Sequence, residues 1–339
     1  MNYKISYDKP IDENEWNKLA LENSNLLQST YYDSVQEFYK NKSIYFSFYK
    51  DNQFVGGIKL NIWFSDKLSF LSKSISKAAT QFGEYLITYD YKENVELAKY
   101  ISETVQKYLK ENKYVIFRSG GFYGSENLII KLDTSKSFNH FEVATIDLTQ
   151  QEDVLLANMH LKHRNSLKKA QKSGLVFEEI NNVESLLDLM KETYQNQEKT
   201  NPNLEYISRV YQILSIKKHC QLFAVKKDEK YLSIALIQKF GKIADYTFAG
   251  NSKNNLGAGQ FLHWNIMIKL KEEGINVYSM GQVAIEKNEN NLKFSKGISD
   301  FKNRFGTKRQ MCYSQTTILK PIHHYFFKFT LKLFSYVSR

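Results

Sequence analysis

Apolar and polar positions alternate with periods that change along the chain, and each period predicts one kind of secondary structure. Between positions 94 and 110, apolar residues recur every three or four positions, as on the buried face of an amphipathic helix. These residues are Val95, Ala98, Ile101, Val105 and Leu109. The runs 44–49 and 54–63 are rich in aromatic and β-branched residues and flank the polar segment 50–53, which favours two strands joined by a turn.

The predicted elements follow a similar order in both halves of the chain. Each half ends with strands, then one long helix, over 94–110 or 256–273, and then another strand. The other predicted helices cover 12–21, 31–40, 160–174, 183–199 and 203–214. The other predicted strands cover 2–7, 115–117, 128–132, 144–148, 175–179, 222–227, 231–239, 243–250 and 276–278. This order predicts an α/β fold built from two similar units.

The boundary between the two units is predicted near residue 149. Thr149-Gln150-Gln151-Glu152 is typical of a capping box at the start of a helix, and a predicted strand ends just before it. We therefore predict a first domain over 1–149, a second domain over 150–318 and a C-terminal amphipathic helix over 319–339.

Composition agrees with two packed domains and indicates a reducing compartment. The chain has 339 residues, of which 42% are hydrophobic and 14% aromatic. Cys220 and Cys312 are far apart and have no metal-ligand spacing, so neither a disulfide framework nor a metal site is expected. The first residues lack the apolar core of a signal peptide, and no apolar run is long enough to span a bilayer. These features predict a cytoplasmic protein.

The net charge of +11 favours a negatively charged partner such as nucleic acid, anionic lipid or a phosphorylated precursor. The charge is dense in the predicted helix that Gly174 ends. Its basic residues are Lys162, Arg164, Lys168, Lys169 and Lys172. At helical spacing Arg164, Lys168 and Lys172 share one face. Such a face is typical either of a phosphate-binding site or of a solvated lysine surface.

Three segments together resemble the landmarks of the FemABX family of peptidoglycan bridge-forming transferases. They are Leu27-Gln28-Ser29, the basic run from Arg164 to Gly174, and a closing run with Gly274–Gly281, Gly297, Phe301-Lys302 and Phe305-Gly306. In this order, the three segments extend from about residue 27 to residue 306, which is most of the chain. The resemblance implies two tandem acetyltransferase-like (GNAT-type) domains. Some members of the family carry a long coiled-coil insertion in the second domain, and no heptad pattern of that length occurs here.

The resemblance also implies an acyltransferase of cell-envelope synthesis. The expected donor is an aminoacyl ester on tRNA, and the expected acceptor is an amine of a lipid-linked or nucleotide-linked peptidoglycan or surface-glycan precursor. The chemistry requires no bound cofactor and no metal: a neutral amine attacks, an oxyanion forms, and positioned donors stabilise it. On this resemblance Lys302 is the candidate that stabilises the oxyanion or holds the donor's terminal phosphate, with Phe301 and Arg304 beside it in the substrate site.

A glycine-containing loop precedes the second long helix. Gly257 and Gly259 would let backbone amides approach an anion at the helix start. The loop resembles the acetyltransferase pyrophosphate loop, except that Asn254 replaces a long basic or amide residue. The loop is typical either of a pyrophosphate site, in which case acyl-CoA would be the donor, or of an ordinary turn before a helix. On the preceding strand, Asp245 and Tyr246 either orient and deprotonate an attacking amine or only satisfy backbone groups.

Two other functions stay open on the sequence. One is an acyl-CoA-dependent N-acyltransferase of surface polysaccharide synthesis. The other is a basic nucleic-acid-binding protein without catalysis, although no recognisable reader motif is present. His160 and His163 have only cations beside them, so the sequence does not predict a metal site there. The nucleophile elbow and the P-loop are absent from the sequence, which disfavours a serine hydrolase and a P-loop nucleotide hydrolase.

The last segment of the chain contains no acidic residue. Pro321 suits the first turn of a helix. Lys328, Lys332, Ser335 and Arg339 would form one narrow polar stripe, and aromatic and aliphatic residues cover most of the rest. The segment predicts either an amphipathic helix on an anionic membrane, at the inner face of the plasma membrane, or a last helix packed on the second domain.

Overall fold

The protein forms two compact units of mixed α/β structure. The computed structural model describes residues 4–6, 10, 12–23, 25–38, 41–63, 76–82, 85–88, 95–120, 139–197, 200, 202–284 and 296–337. One unit consists of Met1–His140 and Cys312–Arg339, and the other of Phe141–Met311. These bounds differ from the predicted domains 1–149, 150–318 and 319–339. The physical reason is that the last strand of the chain pairs with Ile116–Gly120 through Ser314–Ile318, so the chain from Cys312 onwards belongs to the first unit.

The elements of the first unit begin with a short edge strand and end, before the second unit, at β6. In chain order they are β1 Lys4–Ser6, α1 Glu13–Glu22, α2 Asp33–Phe38, β2 Lys42–Lys50, β3 Gln53–Trp63, β4 Ala78–Phe82, β5 Leu86–Ile87, α3 Val95–Glu111 and β6 Ile116–Gly120. The chain returns to this unit through β13 Lys308–Ile318 and α10 Pro321–Val337.

The sheet of the first unit has the order β1-β2-β3-β4-β6-β13, with β5 on β3. Its pairs are antiparallel except β4 and β6, which run parallel. A parallel pair requires a crossover connection, and α3 lies between these strands in the chain. The predicted apolar face of α3 is buried, since Ala98, Ile101, Val105 and Leu109 are at most 1% exposed.

The Leu27-Gln28-Ser29 segment is a structural clamp within the first unit. The buried Gln28 side chain accepts a hydrogen bond from the Lys59 backbone N–H at 2.7 Å and donates one to the Lys59 carbonyl at 3.1 Å. The ammonium of Lys59 is fully buried and donates to the Ser29 carbonyl at 2.6 Å and to Asp33 at 3.0 Å. The motif therefore fixes the turn before α2 onto β3.

The second unit repeats the order of strands, crossover helix and strand. Its elements are β7 Asn139–Asp147, α4 Glu152–Asn158, α5 Leu161–Lys172, β8 Val176–Ile180, α6 Val183–Asn196, α7 Leu204–Ile216, β9 Cys220–Lys227, β10 Lys230–Phe240, β11 Ile243–Asn251, α8 Ala258–Glu272, β12 Val277–Val283 and α9 Lys296–Asn303. The sheet order is β7-β12-β11-β10-β9-β8, and β11 and β12 are the parallel pair that α8 connects. In its described part, no helix exceeds the 15 residues of α8.

Strands β11 and β12 pair over a short length and then separate. The register runs from Ile243↔Val277 to Asp245↔Ser279. Beyond these residues β11 stays paired with β10 as far as Asn251, whereas β12 continues along β7 as far as Val283. A register shift on β12 between Ser279 and Gly281 accompanies the separation. The two strands thus open a gap at one end of the sheet, which we call the strand gap.

Most of the predicted elements are confirmed, and one local prediction is wrong. The predicted helices 94–110, 160–174 and 256–273 correspond to α3, α5 and α8, and Gly174 follows α5 with φ of +69°. The capping box at Thr149 does not form, because the Thr149 hydroxyl donates to Asp147 at 2.6 Å instead and Gln151 is the N-cap residue of α4. The predicted strand 128–132 lies outside the described residues.

Candidate active site

The ammonium of Lys302 lies beside the strand gap. Lys302 is in α9, its side chain is only 8% exposed, and its Nζ donates to the Gln282 carbonyl of β12 at 2.9 Å. The position that a Cβ would take on Gly281 is 3.5 Å from this Nζ and 3.8 Å from the carbonyl oxygen of Tyr246 on β11. The structure therefore places Lys302, which the resemblance singled out, next to both strands that border the gap.

Lys302 carries a charge without a carboxylate counter-ion. Among the described residues, no acidic side chain lies within ion-pair distance of its Nζ. Burial lowers the pKa of Lys302 to about 8, because removal from water disfavours the charged form. A cation of this kind attracts an anion strongly, since the surrounding medium screens it weakly.

Asp245 and Tyr246 lie where β11 leaves β12. Asp245 is partly buried and accepts a hydrogen bond from Ser279, its register partner on β12. Burial raises the pKa of Asp245 to about 7, although the Ser279 hydrogen bond acts in the opposite direction. Burial also raises the pKa of Tyr246, so its hydroxyl stays protonated near neutral pH. Asp245 is thus a carboxyl group that exchanges a proton near neutrality.

His263 of α8 lies behind Tyr246 and is one of the site residues that the sequence did not indicate. The two rings are edge to face with centroids 4.6 Å apart, and His263 Nδ1 shares a 2.8 Å hydrogen bond with the Tyr278 hydroxyl. Burial, with nearby Lys302 and His163, lowers the pKa of His263 to about 3. The imidazole is therefore neutral.

A second buried imidazole, that of His163, attaches the basic helix α5 to α9. Its Nε2 is 3.0 Å from the Phe301 carbonyl, and since a carbonyl only accepts, this nitrogen carries the proton. The His163 ring also packs against the rings of Phe301 and Phe305. Burial lowers the pKa of His163 to about 4. The backbone N–H of His160 donates to the Arg304 carbonyl at 2.8 Å, so Arg304 contributes to the same attachment through its backbone.

The outer surface of α5 carries the predicted lysines. Lys162, Lys168, Lys169 and Lys172 are exposed, and none has an acidic partner within ion-pair distance among the described residues. Arg164 differs, because it is partly buried and donates to the Ala157 carbonyl at 3.1 Å. The four lysines form the open cationic surface of the helix, which we call the α5 lysine surface.

The glycine loop lies against α5. Gly257 is the N-cap residue of α8 with φ of +81°, and a Cβ on it would be 2.5 Å from the Ser166 carbonyl oxygen of α5. A Cβ on Gly259 would meet the Phe301 ring at 3.5 Å. The Asn254 side chain accepts from the Leu256 N–H and so stabilises the turn itself. Close packing thus accounts for Gly257, and the cofactor-binding role of both glycines stays a prediction.

The structure brings several of the predicted residues close together in the second unit. Lys302, Asp245 and Tyr246 border the strand gap. Gly257 lies against α5, and Gly259 lies against the Phe301 ring. The residues that sequence analysis missed are Gln282, Ser279, Tyr278 and the two buried histidines. Tyr278 and Ser279 belong to the family-like run 274–281, which was the available signal. Among the described residues, no group of three or more His, Cys, Asp or Glu side chains could hold a metal ion.

The two parallel crossovers, one in each unit, and the separating strands define a tandem acetyltransferase-like fold. No protein-family model matches the chain, and no curated protein matches its sequence. Among solved structures, the chain is similar to FemX with a TM-score of 0.76 and 14% identity, over 92% of this chain and 97% of that chain. This similarity confirms the fold that the resemblance to FemABX implied.

Two further structures share this fold. L-PGS from Bacillus licheniformis has a TM-score of 0.54 at 13% identity, over 90% of this chain and 93% of that chain. A tandem GNAT protein from the clavulanic acid biosynthesis pathway has a TM-score of 0.53 at 10% identity, over 94% and 99%. The predicted tandem GNAT-type architecture is therefore confirmed.

Proposed function

We propose that the protein is an acyltransferase that passes an activated acyl group to an amine. The observation that carries this proposal is the buried Lys302 ammonium, which has no carboxylate partner among the described residues and lies at the strand gap. The fold supports it as well, since the similar structures include FemX and a tandem GNAT protein.

Lys302 stabilises the negative charge that develops on the carbonyl oxygen of the donor. A charge fixed in a poorly solvated site stabilises an oxyanion without reorganisation, and loss of one such donor typically costs about 10²–10³ in rate. With a pKa of about 8, the side chain remains mostly protonated at pH 7. The same ammonium could hold a donor phosphate, which gives it a binding role as well.

The amine nitrogen bonds to the acyl carbon, and Asp245 takes the proton that this amine releases. The bond between the acyl carbon and the donor's leaving atom then breaks, and the same proton passes to that leaving group. An amine attacks only in its neutral form, and a base titrating near the working pH combines availability with driving force. The Asp245 pKa of about 7 meets that condition. Tyr246, whose hydroxyl keeps its proton, orients the amine beside it.

The proposed donor is an aminoacyl-tRNA, bound through the α5 lysine surface. Four exposed lysines without acidic partners among the described residues suit a phosphate backbone better than a single small anion. The acceptor we propose is an amine of a lipid-linked or nucleotide-linked peptidoglycan or surface-glycan precursor, used at the cytoplasmic side of the membrane.

An acyl-CoA is the second candidate donor, because of the loop at Gly257. Helix α8 begins after Gly257, and this N-cap residue has no side chain that could accept hydrogen bonds from the first N–H groups of the helix. Such a helix start accepts a pyrophosphate readily.

A donor competition distinguishes these functions. The purified protein is incubated with a mixed aminoacyl-tRNA pool or with a set of acyl-CoAs, and with nucleotide-linked and lipid-linked precursors, and products are identified by mass spectrometry. Transfer from the tRNA pool that is lost in Lys302→Met supports the proposal, and transfer from acyl-CoA supports the second candidate. RNA binding without transfer from either donor would instead indicate a nucleic-acid-binding protein.

A further inference from the structure

Helix α10 presents an apolar stripe to solvent. Ile322 is 82% exposed, Tyr325 81%, Phe326 52% and Phe329 57%. Their spacing of i, i+3, i+4 and i+7 puts them on one side of the helix. A single exposed apolar residue is ordinary, but a contiguous set of large ones on a monomer marks an interaction surface. We call these four residues the α10 stripe.

The opposite side of α10 is the one that packs on the first unit. Phe327 is only 8% exposed and lies more than a quarter-turn around the helix from every residue of the stripe. His324 and Thr330 are partly buried, and the Thr330 hydroxyl donates to the Phe327 carbonyl at 2.8 Å. The helix is therefore already anchored, and the stripe is a second apolar surface that its own unit does not cover.

Cations lie beside the stripe. Lys328 and Lys332 are exposed and lie along one side of it, at positions one turn apart. The sequence contains no Asp or Glu after Asp300, whereas Lys320 precedes the helix and Arg339 ends the chain. The charge that α10 and its flanking residues carry is thus of one sign, which complements an anionic surface.

We propose that α10 docks on an anionic lipid surface. The helix axis lies parallel to the membrane, the stripe enters the boundary between headgroups and acyl chains, and the two lysines contact lipid phosphates. Tyr and Phe suit this boundary because they combine large apolar area with, in Tyr, a polar end. Among the described residues, no helix has the length and apolar character that crossing a bilayer requires.

A second copy of this chain fits the stripe less well. A symmetric helix pair would bring Lys328 and Lys332 of both copies close together, with no acidic residue in α10 to offset them. Four side chains of one helix would also bury much less surface than the roughly 800 Å² per partner that a typical stable interface buries.

The test is co-sedimentation of the full chain with vesicles of phosphatidylcholine alone and with vesicles containing phosphatidylglycerol. We expect binding to the anionic vesicles, with at least a tenfold loss of affinity in Ile322→Ser/Phe326→Ser. The matched control is Leu21→Ser/Ile216→Ser, which removes two exposed apolar residues elsewhere, 45% and 79% exposed, and should bind as the wild type does. Lys328→Gln/Lys332→Gln should lower binding to the anionic vesicles by roughly tenfold or more, since each lysine near such a surface contributes appreciably.

Thermal unfolding separates docking from packing. Phe327→Ser should lower the melting temperature, whereas the stripe variant should keep it, because its residues contact solvent. Equal pelleting of the wild type and the stripe variant would overturn the proposal, and so would a stripe variant that melts as early as Phe327→Ser. A wild type that is dimeric in analytical ultracentrifugation, becomes monomeric in the stripe variant and binds no vesicles would assign the stripe to self-association and also overturn it.

Discussion

Two side chains of the strand gap, Lys302 and Asp245, have pKa values displaced towards neutrality from opposite directions. Burial lowers the pKa of the lysine to about 8 and raises that of the carboxyl to about 7. Near neutral pH the site can therefore hold a cation and a proton acceptor together. Pairs of groups with displaced pKa values are typical of acid–base chemistry, which makes each of them testable by substitution.

The first test replaces Lys302 by Met, which keeps the length and apolar stem of the side chain. If the ammonium stabilises the oxyanion, kcat should fall by roughly 10²–10³ while KM changes little. Steady-state kinetics with the donor that the competition experiment identifies measures both constants. Lys242→Met is the matched control, since Lys242 also donates to a backbone carbonyl, that of Gly274 at 3.1 Å, but on an exposed surface. Unchanged turnover in Lys302→Met would remove this residue from the mechanism.

The second test follows the proton at Asp245. The carboxylate form increases as the pH rises through about 7, so kcat should increase over that range and level off above it. Asp245→Asn should be slower and lack this step, whereas Asp188→Asn, on the exposed surface of α6, should retain it. A pH profile that is the same in Asp245→Asn and the wild type would exclude Asp245 as the base.

Asp245 also links stability to pH. The pKa is about 7 in the folded protein and 3.8 for an ordinary Asp, so the folded state binds the extra proton between these values. Stability should therefore decrease as the pH rises from about 4 to about 7. In Asp245→Asn this contribution is absent, and urea unfolding at several pH values would detect its loss.

At the scale of elements, the start of α8 has a backbone requirement of its own. Gly257 combines φ of +81° with a distance of 2.5 Å between the position of an added Cβ and the Ser166 carbonyl oxygen. Gly257→Ala should destabilise the protein by about 1–3 kcal/mol, measured by thermal or urea unfolding. Gly297→Ala is the control, because a Cβ there meets nothing within 4 Å. An unchanged melting temperature in Gly257→Ala would show that the packing of α8 on α5 adapts.

Most elements could be predicted because their signals are local. The spacing of apolar residues in α3 and α8, and Gly174 after α5, depend only on nearby sequence. The capping box failed because Asp147, two residues before Thr149, competes for the hydroxyl. The candidate role of Lys302 was predicted from the resemblance alone. His163 and His263 were missed because their contacts, to Phe301 and Tyr278, depend on how separate elements pack.

At the scale of the whole molecule, the net charge of +11 should make donor binding dependent on salt. Lys168→Gln/Lys172→Gln should weaken tRNA binding across sequences and reduce the slope of log affinity against log salt by roughly 1 for each lysine that binds a phosphate. Filter binding at several salt concentrations measures this slope. Lys217→Gln/Lys230→Gln, exposed lysines of the same unit, provide the control. Equal slopes in the two double variants would make the α5 lysine surface an ordinary solvated face.

The path of the chain through its two units also has a consequence for synthesis on the ribosome. The first unit is made of two segments of the chain: one ends at His140, and the other begins at Cys312 and contains the part of β13 that pairs with β6. At roughly 5–20 residues per second, the intervening segment takes about 9–34 s to synthesise. Throughout that interval β6 is an edge strand with unpaired backbone groups, which is the kind of surface that attracts other chains. The nascent chain therefore passes through a period of aggregation risk that ends only when β13 is available to pair with β6, and chaperone demand should be highest during that period.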